Sequence, residues 1–293
     1  MKIKEHIENI RNIENYRYTY VIAEVGINHN GSLDEAIKLV EASAEAKVDA
    51  VKFQKRNLKN LYTQKILDNP NSAEWNFDYL LPILKTTELT EADYGKIKEK
   101  CDELGLELII TPFDMDSAEF CACLGTAAFK IGSADMINHD LISKCHQYNK
   151  PILISTGMWS EAEIKASIQK FKSIGMKDFV MLLANSTYPT PLESINLEFL
   201  YKLKEMHPLV GYSGHERGIF IPTAAAALGA RIVEKHITFD RTQTGPDHKA
   251  SMLPKEFAQM VEDLRGLALA LGSNKCVNQA EMLARETFAK SAY

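Results

Sequence analysis

The sequence lacks the long apolar runs of a membrane protein and the basic runs of a nucleic-acid-binding protein. Its longest apolar stretch, residues 219–233, is interrupted by Pro222, Gly229 and Arg231, so it is too short to span a bilayer. Residues 1–8 are rich in charge and contain no apolar segment of the kind that a signal peptide requires. The formal net charge is −5, and no Lys/Arg patch interleaved with aromatic residues is present. We therefore expect neither a membrane nor a nucleic acid among the partners.

Cysteine is scarce, and its spacing excludes the usual cysteine-based sites. The sequence has five cysteines, an odd number, with no Cys-x-x-Cys pair among them. Cys121 and Cys123 lie two residues apart on a helical pattern, so their side chains point in different directions and do not form a metal pair. Reduced thiols fit this usage best, and we predict a cytoplasmic protein.

The sequence does contain a regular alternation of short apolar runs and amphipathic segments. An apolar content of 45% and a charged content of 25% are typical of a soluble globular protein. The apolar runs are rich in β-branched residues, as expected of parallel strands that are buried on both faces. These predicted strands lie at residues 20–25, 50–54, 108–111, 128–131, 152–155, 179–183, 209–212 and 231–237. Predicted helices lie at residues 33–46, 91–104, 117–124, 141–148, 161–173, 197–205, 221–229 and 254–271.

Eight strand–helix units in 293 residues predict an α/β fold, a (β/α)₈ TIM barrel. We predict a single barrel domain over residues 1–293, with a short polar helical extension at residues 1–17. Residues 55–90 form an insertion that we expect to run over one face. The alternative is an open doubly wound sheet. The segment Gly-Ile-Asn-His-Asn-Gly at 26–31 argues against it, because it lacks the Gly-x-Gly-x-x-Gly spacing of a dinucleotide-binding loop.

Polar residues follow the predicted strands, where a TIM barrel carries its catalytic groups. A lone Ser or Thr at such a position more often caps a helix. A charged residue among apolar neighbours is costly unless it is paired or functional, so Glu24, Lys52 and Lys130 point more strongly to a site. The candidates at the strand ends are Glu24, Lys52, Gln54, Thr111, Lys130, Ser133, Asp135, Ser155, Asn185, Ser186, Ser213, His215, His236 and Asp240.

Two of these candidates are histidines at the exits of neighbouring strands. His215 closes the segment Gly-Tyr-Ser-Gly-His at 211–215, and His236 closes Glu-Lys-His at 234–236. Neutral imidazoles that meet at one point favour a divalent metal such as Mn, Zn or Fe over Ca. Two unrelated loop residues are the alternative interpretation.

The residue types also indicate an anion site. Two lysines, several hydroxyls and glycine-flanked backbone amides suit a phosphate group. The carboxylates Glu24, Asp135, Asp240 and Asp247 are candidates for proton transfer and for binding sugar hydroxyls. Phosphate, metal and carboxylates together suggest carbon–carbon bond formation between a phosphorylated enol and an aldehyde. Spacing alone leaves a metal-dependent aldolase or isomerase open.

Nine motifs of the sequence match those of a known family. The motifs are Ala-Glu-Val-Gly-Ile-Asn-His-Asn-Gly (23–31), Val-Lys-Phe-Gln (51–54), Thr-Pro-Phe (111–113), Phe-Lys-Ile-Gly-Ser (129–133), Lys-Pro-Ile-Leu-Ile-Ser-Thr-Gly-Met (150–158), Tyr-Pro-Thr-Pro (188–191), Gly-Tyr-Ser-Gly-His-Glu (211–216), Glu-Lys-His (234–236) and Gly-Pro-Asp-His (245–248). Through these motifs, and over nearly its whole length from about residue 20, the sequence resembles the N-acetylneuraminate (sialic acid) synthase family. That family condenses phosphoenolpyruvate with N-acetylmannosamine or a related sugar and releases phosphate, on a metal-dependent TIM barrel.

The resemblance implies a role for each candidate. His215 and His236 would bind Mn²⁺ or Mg²⁺, and Asp135 would assist the proton and water steps. The expected ligands of the open-chain sugar are Glu24, Gln54, Tyr188 and Asp247, with Glu24 and Asp247 also expected to be catalytic. The expected ligands of phosphoenolpyruvate are Lys52, Thr111, Lys130, Ser133, Ser155, Asn185 or Ser186, and Ser213.

Two departures from the family pattern bear on these expectations. Gly-Ser-Ala-Asp at 132–135 replaces the Gly-Ser-Gly-Glu of bacterial members, although animal-type members also carry Asp. The usual members continue into an antifreeze-like domain that supplies an arginine to the sugar from the partner subunit of a homodimer. The sequence ends at Tyr293 without such a domain. We therefore expect the site to be closed differently, with the insertion at 55–90 as the candidate lid, and a homodimer as a possible assembly.

Two other functional classes compete with the synthase. One is a barrel that binds ligand without catalysing a reaction, which the joint presence of Glu24, both lysines and both histidines disfavours. The other is a different metal-dependent aldolase, or an aldolase that forms a Schiff base on Lys52 or Lys130. Borohydride trapping with pyruvate would distinguish the latter from the synthase.

Overall fold

The eight predicted strands form a closed parallel barrel in a computed structural model that describes residues 1–72 and 77–289. Each strand pairs with the next along the chain, and the first pairs with the eighth, in the register Glu24 to His236. This confirms the predicted (β/α)₈ TIM barrel. The strands are β1 (Tyr20–Gly26), β2 (Ala50–Lys55), β3 (Glu107–Pro112), β4 (Phe129–Ile131), β5 (Ile152–Ser155), β6 (Phe179–Ala184), β7 (Val210–Gly214) and β8 (Ile232–His236).

Helices surround the barrel as the amphipathic patterns predict. Their apolar faces pack on the outward-facing residues of the strands in one large buried cluster. The helices are α1 (Ile3–Asn12), α2 (Leu33–Glu45), α3 (Leu58–Leu61), α4 (Gln64–Asp68), α5 (Phe77–Thr87), α6 (Glu91–Glu103), α7 (Met115–Leu124), α8 (His139–His146), α9 (Glu161–Ser173), α10 (Phe199–Met206), α11 (Phe220–Ala227), α12 (Pro254–Ala270) and α13 (Gln279–Phe288).

A second apolar cluster fills the lower half of the barrel interior. It contains Ile22 of β1, Ala50 of β2 and Ile232 of β8, together with Ile3 and Ile7 of α1. The N-terminal helix therefore plugs the bottom of the barrel. Its backbone is also fixed there, because Ile3 N donates a 2.5 Å hydrogen bond to Glu107 Oε2.

Along a strand every second side chain faces the same side, and the next inward-facing residues above this lower apolar layer are polar. Ile22 faces inward, so Glu24 does too, two residues closer to the C-terminal mouth. The same step leads from inward Ala50 to Lys52, and from inward Ile232 to Glu234. The alternation thus points polar side chains from several strands at one another, inside the upper half of the barrel.

The insertion and the C-terminus contain structure that the sequence patterns did not reveal. Residues 55–90 carry α3, α4 and α5, and residues 73–76 of the candidate lid lie outside the described residues. The helix α13, which follows α12, is exposed along its length. Within residues 1–72 and 77–289, no helix is both long and apolar enough to cross a membrane.

Candidate active site

Four buried charges from four elements form the floor of the barrel mouth. Lys52 Nζ lies 2.6 Å from Glu24 Oε2 and 3.6 Å from Glu234 Oε1. Lys130 Nζ lies 3.7 Å from the same oxygen of Glu234. All four side chains are nearly inaccessible to water. Two cations and two anions therefore neutralise one another in a space from which water is largely excluded.

The pKa values of the two lysines in this cluster are shifted in opposite directions. Burial lowers the pKa of Lys130 to about 8, since it outweighs the attraction of Glu234. Burial acts on Lys52 in the same direction, but Glu234 and Glu24 together outweigh it, and the pKa of Lys52 is raised. The cluster thus holds one firmly charged lysine and one that titrates near neutral pH.

The two carboxylates are shifted in opposite directions. Burial raises the pKa of Glu24, with Lys52 opposing the shift. Burial pushes the pKa of Glu234 upward as well, but Lys130 and Lys52 outweigh it, so this pKa is lowered. Glu234 is therefore the permanent counter-ion of the two lysines, and Glu24 is the carboxyl group that more readily takes up a proton.

Hydroxyl groups surround the lysines. Thr111 Oγ1 accepts a 3.1 Å hydrogen bond from Lys52, and Ser213 donates a 3.1 Å bond to Glu234 Oε1. Ser155 Oγ is buried and has no hydrogen-bond partner among the described residues. A buried hydroxyl without a partner costs stability, so it is suited to bind a ligand oxygen.

The loops after β4, β5 and β6 approach one another closely beside these hydroxyls. Gly157 N donates a 3.1 Å hydrogen bond to Ser133 Oγ. A Cβ atom at position 157 would lie 2.8 Å from that oxygen and 2.4 Å from Ser186 Oγ, closer than real contacts allow. Only glycine permits this approach, which gathers two hydroxyls and a backbone amide into a cradle suited to an anion.

The two predicted metal ligands lie side by side. The ring centroids of His215 and His236 are 5.5 Å apart. His215 Nδ1 is 2.7 Å from the carbonyl oxygen of Asn185, an arrangement that makes Nδ1 the protonated nitrogen and leaves Nε2 with a free lone pair. His236 Nδ1 is buried without a hydrogen-bond partner in the described part of the chain.

Both imidazoles are in the form that binds a metal. Burial lowers the pKa of His215 to about 4 and lowers that of His236 well below its ordinary value, so both are neutral at pH 7. Two neutral imidazoles with unused nitrogens fit a divalent cation of the borderline type. Among the described residues, no third His, Cys, Asp or Glu completes a cluster of three ligands. The remaining positions on such an ion would therefore be open to water or substrate.

Tyr188 and Asp247 border the histidine pair. The ring of Tyr188 packs on that of His215 with a centroid distance of 4.0 Å, and its peptide bond to Pro189 is cis. Asp247 Oδ2 lies 3.9 Å from His236 Nδ1. Burial, with the nearby charge of Glu24, raises the pKa of Asp247 to about 7.

Gln54 links the carboxylate of β1 to the outer rim. Its Nε2 donates a 3.0 Å hydrogen bond to Glu24 Oε1, and its Oε1 accepts one from Arg56. Gly26 leaves room for this arrangement, because a Cβ there would lie 3.0 Å from Glu24 Oε1 and 3.4 Å from His236 Cε1.

Three sequence candidates lie apart from the buried cluster. Asp135 is partly exposed, and its Oδ1 accepts a 3.2 Å hydrogen bond from Asn138. The side chain of Asn185 is used within its own loop, where it bonds to Thr187 N and to the carbonyl of Ser194. Asp240 is exposed and caps a turn through Thr242.

Two residues of the site were not among the candidates that the sequence predicts. Glu234 lies within the Glu-Lys-His motif, and its inward direction follows from the two-residue step from Ile232. Arg56 lies in the insertion beyond the predicted strand. No periodicity signal marks that position, so only the folded chain brings Arg56 to the site.

Comparisons with known proteins find relatives of similar sequence and structure. Residues 39–276 match the NeuB family. The N,N'-diacetyllegionaminic acid synthase of Legionella pneumophila is 36% identical over 265 residues, covering 87% of this chain and 74% of that protein. The human N-acetylneuraminate-9-phosphate synthase is 34% identical over 276 residues, covering 93% and 77%. The N-acetylneuraminic acid (sialic acid) synthetase of Leptospira borgpetersenii, solved with citrate, matches with a TM-score of 0.80 at 30% identity, covering 94% and 93%.

Proposed function

Since the chain belongs to the NeuB family, we propose that it joins phosphoenolpyruvate to the aldehyde carbon of an open-chain 2-acetamido sugar and releases phosphate. The product would be a nonulosonic acid of the sialic, legionaminic or pseudaminic type. The single observation that carries the proposal is the buried cluster of Lys52, Lys130, Glu24 and Glu234 at the floor of the barrel mouth.

The lysine side of the cluster suits phosphoenolpyruvate. Its carboxylate and phosphate would replace part of the attraction that now holds Lys52 and Lys130 to Glu234. The unpartnered Ser155 hydroxyl and the Gly157 cradle would bind the remaining ligand oxygens. Charge-assisted hydrogen bonds in a water-poor site are the strongest that a protein can offer an anion.

The histidine side of the mouth suits the sugar. We propose that His215 and His236 hold Mn²⁺ or Mg²⁺, which would supply a Lewis acid for the sugar aldehyde. Glu24, Gln54, Tyr188 and Asp247 would bind the hydroxyl groups and orient the aldehyde carbon toward the enol. Glu24 and Asp247, two carboxyl groups whose pKa values are raised, would exchange a proton with the bound sugar.

One observation favours a second candidate, an aldolase that forms a Schiff base. The pKa of Lys130 is lowered to about 8, and a lysine with a lowered pKa is a better nucleophile. Sodium borohydride with pyruvate tests this candidate. A covalent adduct on Lys130, detected by mass spectrometry of the intact protein, would support the aldolase and count against the synthase.

The experiment that tests the proposed function measures phosphate release from phosphoenolpyruvate with Mn²⁺. The acceptors are N-acetylmannosamine, its 6-phosphate and 2,4-diacetamido sugars. We expect release with at least one acceptor, little release without any, and loss of the reaction with EDTA or in His236→Ala. The matched control is His146→Ala on α8, which should keep the wild-type rate. Acceptor-independent release, or none with any acceptor, would contradict the proposal.

A further inference from the structure

Arg56 is a buried cation at the outer rim of the barrel mouth. It follows the last residue of β2, and only 6% of its surface is exposed. Its Nη2 donates a hydrogen bond to Gln54 Oε1, and its guanidinium packs over the ring of Phe113, 4.4 Å from the centroid. These contacts hold the side chain against the site rather than in solvent.

No carboxylate pairs with this guanidinium in the part of the chain that the structure describes. The neighbouring acidic residue, Glu88, forms its ion pair with Lys55 instead. Of the five N–H donors on Arg56, one has a described acceptor, the side-chain amide of Gln54. A buried charge without a directly paired counter-ion is strongly unfavourable, so burying Arg56 in this way lowers the stability of the fold.

The other two cations of the mouth do not share this property. Lys52 lies against Glu24 and Glu234, and Lys130 lies against Glu234. Among the described residues of the mouth, Arg56 is therefore the buried cation that has no carboxylate in direct contact.

The height of Arg56 along the strand determines which part of a ligand it can reach. It lies four residues beyond Lys52, so at a rise of roughly 3.3 Å per residue its backbone is roughly 13 Å further along the direction of β2, toward the mouth. Its charge is also felt by Asp247, whose pKa it lowers against the larger effect of burial. Arg56 thus belongs to the outer, sugar-binding half of the mouth.

The reaction fixes the orientation of the sugar relative to this rim. The aldehyde carbon must lie against the enol at the floor, so the opposite end of the open chain points outward. We propose that Arg56 binds an anionic group, a phosphate ester or a carboxylate, at the end of the acceptor sugar remote from its aldehyde. This inference rests on the proposed function and narrows its acceptor to an anionic sugar.

The chemistry of the guanidinium favours an anion over a neutral hydroxyl. Its planar fork of donors matches the oxygens of phosphate and carboxylate, which it can bind through two parallel hydrogen bonds. An anion would also bring a negative charge into direct contact with the guanidinium, which a hydroxyl group cannot. Stacking on Phe113 keeps the plane of the fork fixed, so little conformational freedom is lost when the ligand binds.

The test compares kcat/KM for N-acetylmannosamine, its 6-phosphate and the corresponding 6-carboxylate, measured as phosphate release from phosphoenolpyruvate. The wild-type protein should prefer one anionic acceptor over the neutral sugar, and the preferred acceptor identifies the group. In Arg56→Gln we expect the anionic-to-neutral ratio to fall by roughly ten- to a hundredfold, the effect of losing a charged hydrogen bond. Arg56→Lys should retain part of the ratio, because the charge remains without the fork.

The matched control is Lys59→Gln, which removes an exposed cation from the same insertion. It should leave the ratio unchanged. A wild-type protein that uses the neutral sugar as well as the anionic ones would overturn the inference while the proposed function stands, even if Arg56→Gln does not fold. An equal fall in the ratio for both variants would overturn it too. No release with any acceptor would contradict the proposed function, and this inference with it.

Discussion

Lys52 and Glu24 lie 2.6 Å apart, on neighbouring strands, where both side chains are almost completely removed from water. Each residue is two steps above an apolar residue that faces the barrel interior, so the strand period alone brings them together. The pair is costly to bury, and its contact with a second carboxylate, Glu234, indicates a site built for a ligand rather than for stability.

Removal of the lysine should destabilise the fold as well as abolish activity. Lys52→Met leaves Glu24 and Glu234 buried with one lysine between them. We expect the free energy of unfolding to fall by about 3 kcal/mol, the order of magnitude for breaking a buried ion pair, as measured by urea denaturation at pH 7. Lys38→Met, which breaks an exposed pair with Glu35, is the control and should leave the stability close to that of the wild type. Similar effects of the two substitutions would contradict the buried pairing.

The affinity for phosphoenolpyruvate should depend on pH through Lys130, whose pKa is about 8. Because burial lowers the pKa to this value, the lysine is charged below about pH 8 and loses its proton above it. The KM for phosphoenolpyruvate should therefore rise as the pH increases beyond about 8. Arg56 and Lys52 remain charged over this range, so they do not mask the effect.

The variant Lys130→Arg tests whether the titration belongs to Lys130. Arg keeps its proton at all accessible pH values, so Lys130→Arg should flatten the alkaline rise in KM even where it lowers kcat. An unchanged pH profile in that variant would assign the titration to another group.

Gly26 should be indispensable for a steric reason as well as a conformational one. Its φ is +56°, and a Cβ atom would approach Glu24 Oε1, Gln54 Nε2 and His236 Cε1 at 3.0–3.4 Å. We expect Gly26→Ala to lower kcat/KM by about 100-fold or more, because a displacement of a fraction of an ångström misplaces groups of the reaction site.

The variant Gly105→Ala separates the steric effect of a Cβ atom from the effect of backbone conformation. Gly105 also has a positive φ, +73°, but a Cβ there would meet nothing within 4 Å. Both variants should lose roughly 1 kcal/mol of stability from backbone strain, whereas only Gly26→Ala should lose activity. Equal kcat/KM values for the two would argue against close packing around Gly26.

A buried network outside the barrel should position His215 for metal binding. Lys235 Nζ lies 2.9 Å from Glu216 Oε1, and Tyr212 donates a 2.5 Å hydrogen bond to Glu216 Oε2. The network fixes the residue next to His215. Tyr212→Phe should therefore weaken Mn²⁺ binding by about tenfold, a typical effect of loosening the support of a ligand.

Calorimetric titration with Mn²⁺ measures this effect independently of turnover. Tyr201→Phe, an exposed tyrosine on α10, is the control and should bind Mn²⁺ like the wild type. If Tyr212→Phe lowered the melting temperature but left the Mn²⁺ affinity unchanged, the network would stabilise the fold without positioning the histidine.

The barrel could be predicted because its strands carry a strong local signal. Short β-branched runs such as 152–155 coincide with the observed strand, since burial on both faces leaves few polar positions. Two helices of the insertion, α3 and α4, were not predicted because they span only four and five residues, too few for a periodic pattern. The plug formed by Ile3 and Ile7 was also invisible, because it depends on contacts with distant strands.

The candidate site was predictable to the extent that it lies on strands. Glu24, Lys52, Lys130 and Ser213 meet in the interior, as positions at the strand ends predict. Loop residues were harder, because side chains such as Asn185 can bond within their own loop. Arg56 reaches the site only through tertiary packing on Phe113, which no local pattern encodes.

The most direct test of the central claim follows the carbons of phosphoenolpyruvate. The protein is incubated with ¹³C-labelled phosphoenolpyruvate, Mn²⁺ and the acceptor sugar that supports phosphate release, and the products are identified by NMR. The account predicts that all the label enters one keto acid that also contains the carbons of the sugar, with one phosphate released for each sugar consumed. Labelled pyruvate with unreacted sugar would contradict it.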